Sequence, residues 1–292
     1  MNAATETTPI ERNAELPTWF GVGGRADALA RPASVEAVAD LVRTHEHIRV
    51  LGDGANLLVD DEGVDGLVLS LEHLNSAEFL EDSTVRVGAG VKLPALILES
   101  IRRGFAGLEG FAGIPATLGG AIAMNAGGAW GQIADVIRAV RVVDHEGGIH
   151  TTARDEIGFG YRRSGLVGSI IVSADLALKP GDPSALRDRL KEVMAYKKNT
   201  QPMADRSAGC VFKNPVVAGE RVSAGALIDH SGCKGLRVGS AHVSELHANF
   251  ILIDPGGTAR DAIELMDAVE QRVRDAQGIT LEREVVIWRR GR

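Results

Sequence analysis

A chain of 292 residues exceeds one ordinary domain, and a hydrophobic content of 45% is enough to bury two or three cores that share interfaces. The net charge of −7 is spread without an acidic tail or a basic block, which argues against nucleic acid or an anionic membrane surface as the main partner. Cys210 and Cys233 lie outside C-x-x-C or zinc-ligand spacing, and no H-E-x-x-H occurs among the histidines, so free thiols in a cytoplasmic protein and no metal site are expected.

The polar, acidic start up to Pro17 lacks the positive and apolar stretches of a signal peptide and reads as a frayed leader. Ser34 caps an amphipathic helix to about His45, with Val35, Val38, Leu41 and Val42 on one face. A short strand, IRVLG, then ends at Gly52 and enters the loop DGANLLVDDEGVDG. Gly52-Asp53-Gly54 does not continue into G-x-G-x-x-G, so taken alone this loop is a weak phosphate signal. GLVLSL, TVRVGAG, VIRAVRVVD and SIIVSADLAL read as strands, and a helix from about Leu93 to Arg103 tolerates Pro94 in its first turn.

From Gly110 to Ala134 the chain carries no charged side chain, and seven of these residues are glycine. Pro115, Thr117, Asn125 and Gln132 interrupt the run in a way no lipid-facing helix would favour. The run reads instead as backbone wrapped around a ligand, because glycine lets main-chain N–H groups approach a phosphate with no side chain in the way.

A composition break at KPGDPS sets a domain boundary. Ser184 opens a helix with Leu186, Leu190, Val193 and Met194 inward, leading into the loop KKNTQPMADRSAG. Val222 to His230 reads as a helix and ANFILID as a buried strand. A Thr258-capped helix with Ile263, Met266, Val269 and Val273 inward runs to Ala276, and ITLEREVVIW closes the chain as an alternating strand.

Four polar segments stand out. Arg162 in YRRS has the planar fork that grips a carboxylate. Cys210 in SAGCVFKNP follows small residues that let a ligand come close, and its thiol, with an ordinary pKa of about 8.5, holds a proton at neutral pH. Glu282 and Glu284 in LEREV would share one face of a strand. SELHANF reads as a turn before a strand.

The order LGDGANLLV, GIPATLGGAIAMNAGGAWG, YRRS, SAGCVFKNP, AGALID, CKGLRVG, SELHANFIL and LEREV resembles the UDP-N-acetylenolpyruvoylglucosamine reductase family, from near Thr18 to Trp288. With tyrosines only at 161 and 196, the chain resembles the shorter type that lacks an extra tyrosine-bearing loop. The resemblance implies an α+β protein: an FAD-binding fold of the vanillyl-alcohol-oxidase type in two subdomains, residues 16–72 and 73–180, after a leader at 1–15. An α+β substrate domain would follow at 181–292. FAD would lie against Gly52, Asp53, Gly54, Ala55, Asn56 and Leu57, and against Gly113, Ile114, Pro115, Thr117, Gly119, Gly120, Ala121, Asn125 and Gly127. NADPH would be the co-substrate and UDP-N-acetylglucosamine enolpyruvate the substrate, held by Tyr161, Lys198, Lys213 and Asn214. By the same resemblance Arg162 and Glu284 stabilise an enolate and Cys210 donates the proton, in a cytoplasmic monomer that binds neither nucleic acid nor membrane. Cys210 departs from the family's usual serine, Ala55 from a serine and Asp254 from an asparagine. The competing readings are another FAD oxidoreductase or oxidase of the same fold, and a non-catalytic flavin or UDP-sugar binder.

Overall fold

The computed structural model describes residues 8–291. The chain forms two compact units, each gathered from three stretches. The first takes residues up to Ala14, then Asp27–Asp53 and Gly66–Ala195; the second takes Glu15–Ala26, Gly54–Asp65 and everything from Tyr196. This differs from the expected succession of leader, two subdomains and a last domain beginning at 181. Ile10–Ala14 is a strand, not a frayed leader, because Ile10 packs on the first core, Ala14 is buried and Glu11 pairs with Arg31 at 2.8 Å. The rest of the expected leader, residues 1–7, lies outside the described residues.

In the first unit a five-stranded antiparallel sheet runs in the order Ile149–Ala153, Ile137–Val143, Ile170–Ala177, Thr84–Gly88, Ala77–Phe79. A second sheet has the order Ile10–Ala14, Ala26–Ala30, Val64–Ser70, Ile48–Leu51, with its last two strands parallel. Helix α1 (Val35–Thr44) starts where expected, since the Ser34 hydroxyl accepts from the Ala37 N–H, and it buries Val38, Ala39 and Leu41. Helices α2 (Leu93–Arg102) and α3 (Leu118–Ala123) add Leu96, Ile97, Leu118 and Ile122 to the same core. Helix α4 (Pro183–Thr200) contributes Leu186 and Leu190; it runs into the segment expected as a loop, and Met194 is exposed where burial was expected.

In the second unit, helix α5 (Ala224–His230) and helix α6 (Ala259–Gln277) share a core with the antiparallel sheet Arg237–Val238, Ala241–Val243, Ile251–Ile253. The α6 stripe Ile263, Met266, Val269 and Val273 is buried as its period requires, and a reciprocal Thr258–Asp261 capping box begins the helix. Of ITLEREVVIW only Val286–Trp288 is strand, paired in parallel with Leu57–Val59 out of the supposed loop.

Candidate active site

In the first unit the loop after Ile48–Leu51 meets the start of α3. A Cβ added to Gly52 would lie 2.9 Å from the Thr117 hydroxyl oxygen and 3.9 Å from the Gly120 Cα, while one on Gly120 would meet only that hydroxyl, at 3.4 Å. Thr117 is the N-cap of α3 and accepts from the Gly120 N–H. The residues flanking Thr117 are laced to the turn before α2: Leu93 N–H donates to the Ala116 carbonyl and Leu118 N–H to the Val91 carbonyl. The result is a bare-backbone cradle, open over Gly120 and closed over Gly52 by the Thr117 hydroxyl. Beside it the Asp53 carboxylate is offset by Lys92 at 3.0 Å, which lessens its repulsion of an anion. Lys92 was not anticipated from the sequence.

Farther along the glycine-rich run the structure assigns different reasons to similar residues. A Cβ on Gly119 would press on Ala89 and one on Gly127 on Gly131 and Gln132, so these two glycines serve packing. Asn125, expected against the cofactor, is instead committed inside the protein: its amide donates to Gln132 Oε1 at 2.9 Å and to the Gly160 carbonyl at 3.0 Å, and its Oδ1 accepts from the Ala134 N–H. It thereby ties the run to the YRRS turn. That turn closes between Gly160 and Arg163, with Arg162 at φ 55, a left-handed conformation that costs about 1–2 kcal/mol for a residue other than glycine. The Arg162 guanidinium donates to the Gly127 carbonyl at 3.0 Å and lies 5.2 Å from the centre of the Tyr161 ring. Gly113, Ile114 and Pro115 are half-buried, and Ala121 is buried within α3.

In the second unit, the segments that carry Cys210 and Glu284 meet at the Val211 carbonyl. The Val211 carbonyl accepts from the Glu284 N–H at 2.7 Å and the Val285 N–H at 3.3 Å. Glu284 is held from its other side by Asn56, whose amide donates to the Glu284 carbonyl at 3.0 Å while its own carbonyl accepts from Val286. Asn56, expected at the cofactor, thus anchors the segment that carries a catalytic candidate. Gly54 is also structural, since a Cβ there would lie 2.2 Å from the Pro17 carbonyl oxygen; Leu57 is buried in its strand and Ala55 is half-buried.

The two glutamates of LEREV separate clearly. Glu282 is largely exposed and pairs with Lys213 at 2.5 Å, leaving Glu284 half-buried beside the Cys210 segment. Arg283 turns the other way, to Glu270 at 2.5 Å and to Asp267; burial opposes its charge, but these two partners raise its already high pKa. Asn214 Oδ1 accepts from the Ala224 N–H at the start of α5. Lys198 is exposed, whereas Lys197 beside it is buried, and that burial brings its ammonium down to about 8. Asn249 escaped the sequence reading because SELHANF resembled a turn; a buried asparagine opening an apolar run was the available signal.

A family model for an FAD binding domain matches residues 26–153, and the model for the C-terminal domain of UDP-N-acetylenolpyruvoylglucosamine reductase matches 201–288. The chain is 41% identical over 270 residues to the UDP-N-acetylenolpyruvoylglucosamine reductase of Anaplasma marginale (strain St. Maries), covering 92% of this chain and 89% of that protein. It is 40% identical over 288 residues to the reductase of Moorella thermoacetica (strain ATCC 39073 / JCM 9320), covering 97% and 92%. The crystal structure of the Thermus caldophilus enzyme superposes with a TM-score of 0.83 at 40% identity, over 97% of this chain and 100% of that one. The bare backbone at Gly120 fits a phosphate group such as that of FAD, because a side chain there would enter open space, whereas Gly52 lacks a side chain because Thr117 leaves it no room. The chain belongs to the UDP-N-acetylenolpyruvoylglucosamine reductase family, FAD-containing oxidoreductases of peptidoglycan synthesis with an α+β FAD-binding fold.

Proposed function

We propose that this protein reduces UDP-N-acetylglucosamine enolpyruvate to UDP-N-acetylmuramate at the expense of NADPH, and that Arg162, Cys210 and Glu284 carry the chemistry. The observation that supports the assignment most directly is a backbone bond: the carbonyl of the residue after Cys210 accepts the Glu284 N–H at 2.7 Å, so the segments that carry the thiol and the carboxyl are held side by side. When bound, FAD supplies the relay of hydride from the nicotinamide to the enolpyruvyl group. Gly52, Asp53, Thr117 and Gly120 would hold its diphosphate, with main chain from Gly113 to Pro115 beside them.

Hydride addition to the terminal alkene carbon breaks the C=C π bond and leaves the electron pair on the carbon next to the carboxylate. Arg162 neutralises the charge delocalised over that carboxylate, and Glu284 acts in its acid form, donating a hydrogen bond to the same delocalised charge. The Cys210 S–H bond then breaks, its proton goes to the carbon that holds the pair, and solvent later reprotonates the thiolate. Tyr161, Lys198, Lys213 and Asn214 contact the UDP-sugar. Both co-substrates belong to the cytoplasm, and we read the protein as a monomer there; among the described residues no helix is long and apolar enough to cross a membrane.

Anaerobic mixing tests the reading. The flavin colour should bleach with NADPH and return only on addition of UDP-N-acetylglucosamine enolpyruvate. Return with oxygen alone would make the protein an oxidase, and failure to bleach would make it a binder without catalysis. Cys210→Ala should bleach normally and recolour slowly; recolouring at the wild-type rate would remove the thiol from the proton step.

A further inference from the structure

We infer that Asn249 is a positioning residue for the Cys210 thiol, acting through the two peptides that follow it. The inference rests on the proton-donor reading of Cys210 and adds a residue to that step. Asn249 is 3% exposed. Its amide donates to the Phe212 carbonyl at 2.8 Å and its Oδ1 accepts from the Phe212 N–H at 2.9 Å, so one side chain satisfies both polar groups of one residue. Its main-chain carbonyl also accepts from the Val211 N–H at 2.9 Å.

A primary amide is the side chain suited to this task, because it presents a donor and an acceptor in one plane as a neighbouring peptide would. Aspartate would offer acceptors alone and set a charge against the Phe212 carbonyl. The opposite edge of the same segment is held by Glu284 and Val285 N–H groups on the Val211 carbonyl and by the bridge between Phe212 and Arg283. Val211 and Phe212 are therefore fixed from both sides. Before the thiol lies Gly209, at φ 74 with nothing within 4 Å of a Cβ placed there, so close packing against a side chain does not locate the thiol from that side. Asn249 thus sets where the sulfur can point, while its own atoms are spent on backbone.

The test uses the FAD-loaded enzyme with Asn249→Asp, alone and combined with Cys210→Ala. The expected result is NADPH bleaching within twofold of wild type, recolouring by UDP-N-acetylglucosamine enolpyruvate slowed about 10- to 100-fold, and no further slowing in the Cys210→Ala background. Alkylation of Cys210 by iodoacetamide in the oxidised, substrate-free enzyme should change at least fivefold, with buried Cys233 unreactive as an internal control. If the variant does not accumulate folded, Asn249→Ser, which withdraws both side-chain contacts to Phe212 without introducing a charge, is measured in the same way. Equal slowing of both half-reactions, full additivity with Cys210→Ala, or unchanged alkylation overturns the inference. A wild-type recolouring rate in Cys210→Ala alone refutes the proton-donor reading instead, and the alkylation arm still reports on Asn249.

Discussion

Lys197→Met should make the protein more stable at neutral pH. Lys197 is 7% exposed in the last turn of α4, and burial lowers its pKa from 10.5 to about 8. That drop corresponds to about 3 kcal/mol of penalty for holding the charged form in the folded state. A cation near a helix C-terminus recovers roughly 0.3–1 kcal/mol of it, so a methionine of similar length should gain about 2 kcal/mol at pH 7. The sign with pH follows from proton counting: between the folded and unfolded values the unfolded chain binds the extra proton, so the penalty is full below about 8 and fades as pH rises toward 10.5. The advantage of the variant should therefore shrink to roughly half by pH 9.5. Urea unfolding of both proteins, saturated with FAD at pH 7 and pH 9.5, measures the difference directly. A variant less stable than wild type at pH 7, or an advantage equal at the two pH values, would refute the reasoning.

The remaining expectations concern the site. Cys210→Ser should keep more activity than Cys210→Ala, because only serine leaves a group that can donate a proton; stopped-flow recolouring rates check it. Gly120→Val should lower FAD affinity at least about tenfold with little loss of apoprotein stability, whereas Gly54→Ala should cost about 3 kcal/mol or more, since its Cβ would strike the Pro17 carbonyl at φ 66. Flavin titration and thermal melts of the apoproteins separate the two effects. Burial lowers the pKa of His247, whose Nδ1 accepts from the Asn249 N–H, so its protonation opposes folding. Stability should fall as pH drops below 6.5, and less so in His247→Asn, as read by urea midpoints.

The long elements were readable because local chemistry and packing agree there: Ser34 and Thr258 cap α1 and α6, and their apolar stripes face single cores. ITLEREVVIW misled for the opposite reason. Its alternation is real, but after Lys213 N–H pairs with the Glu282 carbonyl and Phe212 bridges Arg283, the Glu284 and Val285 N–H groups converge on the one Val211 carbonyl, so a regular strand begins only at Val286. The glycine-rich run was recognisable as backbone without side chains. Its division into cradle, packing positions and the short antiparallel pairing of Gly127–Gly128 with Gly131–Gln132 depends on Thr117, Ala89 and Gln132, which pattern alone cannot bring together. The two-unit division rests on pairings such as Leu57–Val59 with Val286–Trp288, and no local window contains both partners.

That same pairing bears on how the chain is made. As the polypeptide emerges during synthesis, Leu57–Val59 has to wait roughly 230 residues for its partner strand, a long loop to close before any contact rewards it. The second unit therefore completes only after Val286–Trp288 has left the ribosome, and until then an apolar strand edge is exposed to other nascent chains. Folding of this protein should be rate-limited by the docking of its last strand, and a ribosome-stalled chain ending before Val286 should be markedly more sensitive to protease in residues 54–65 than the finished one.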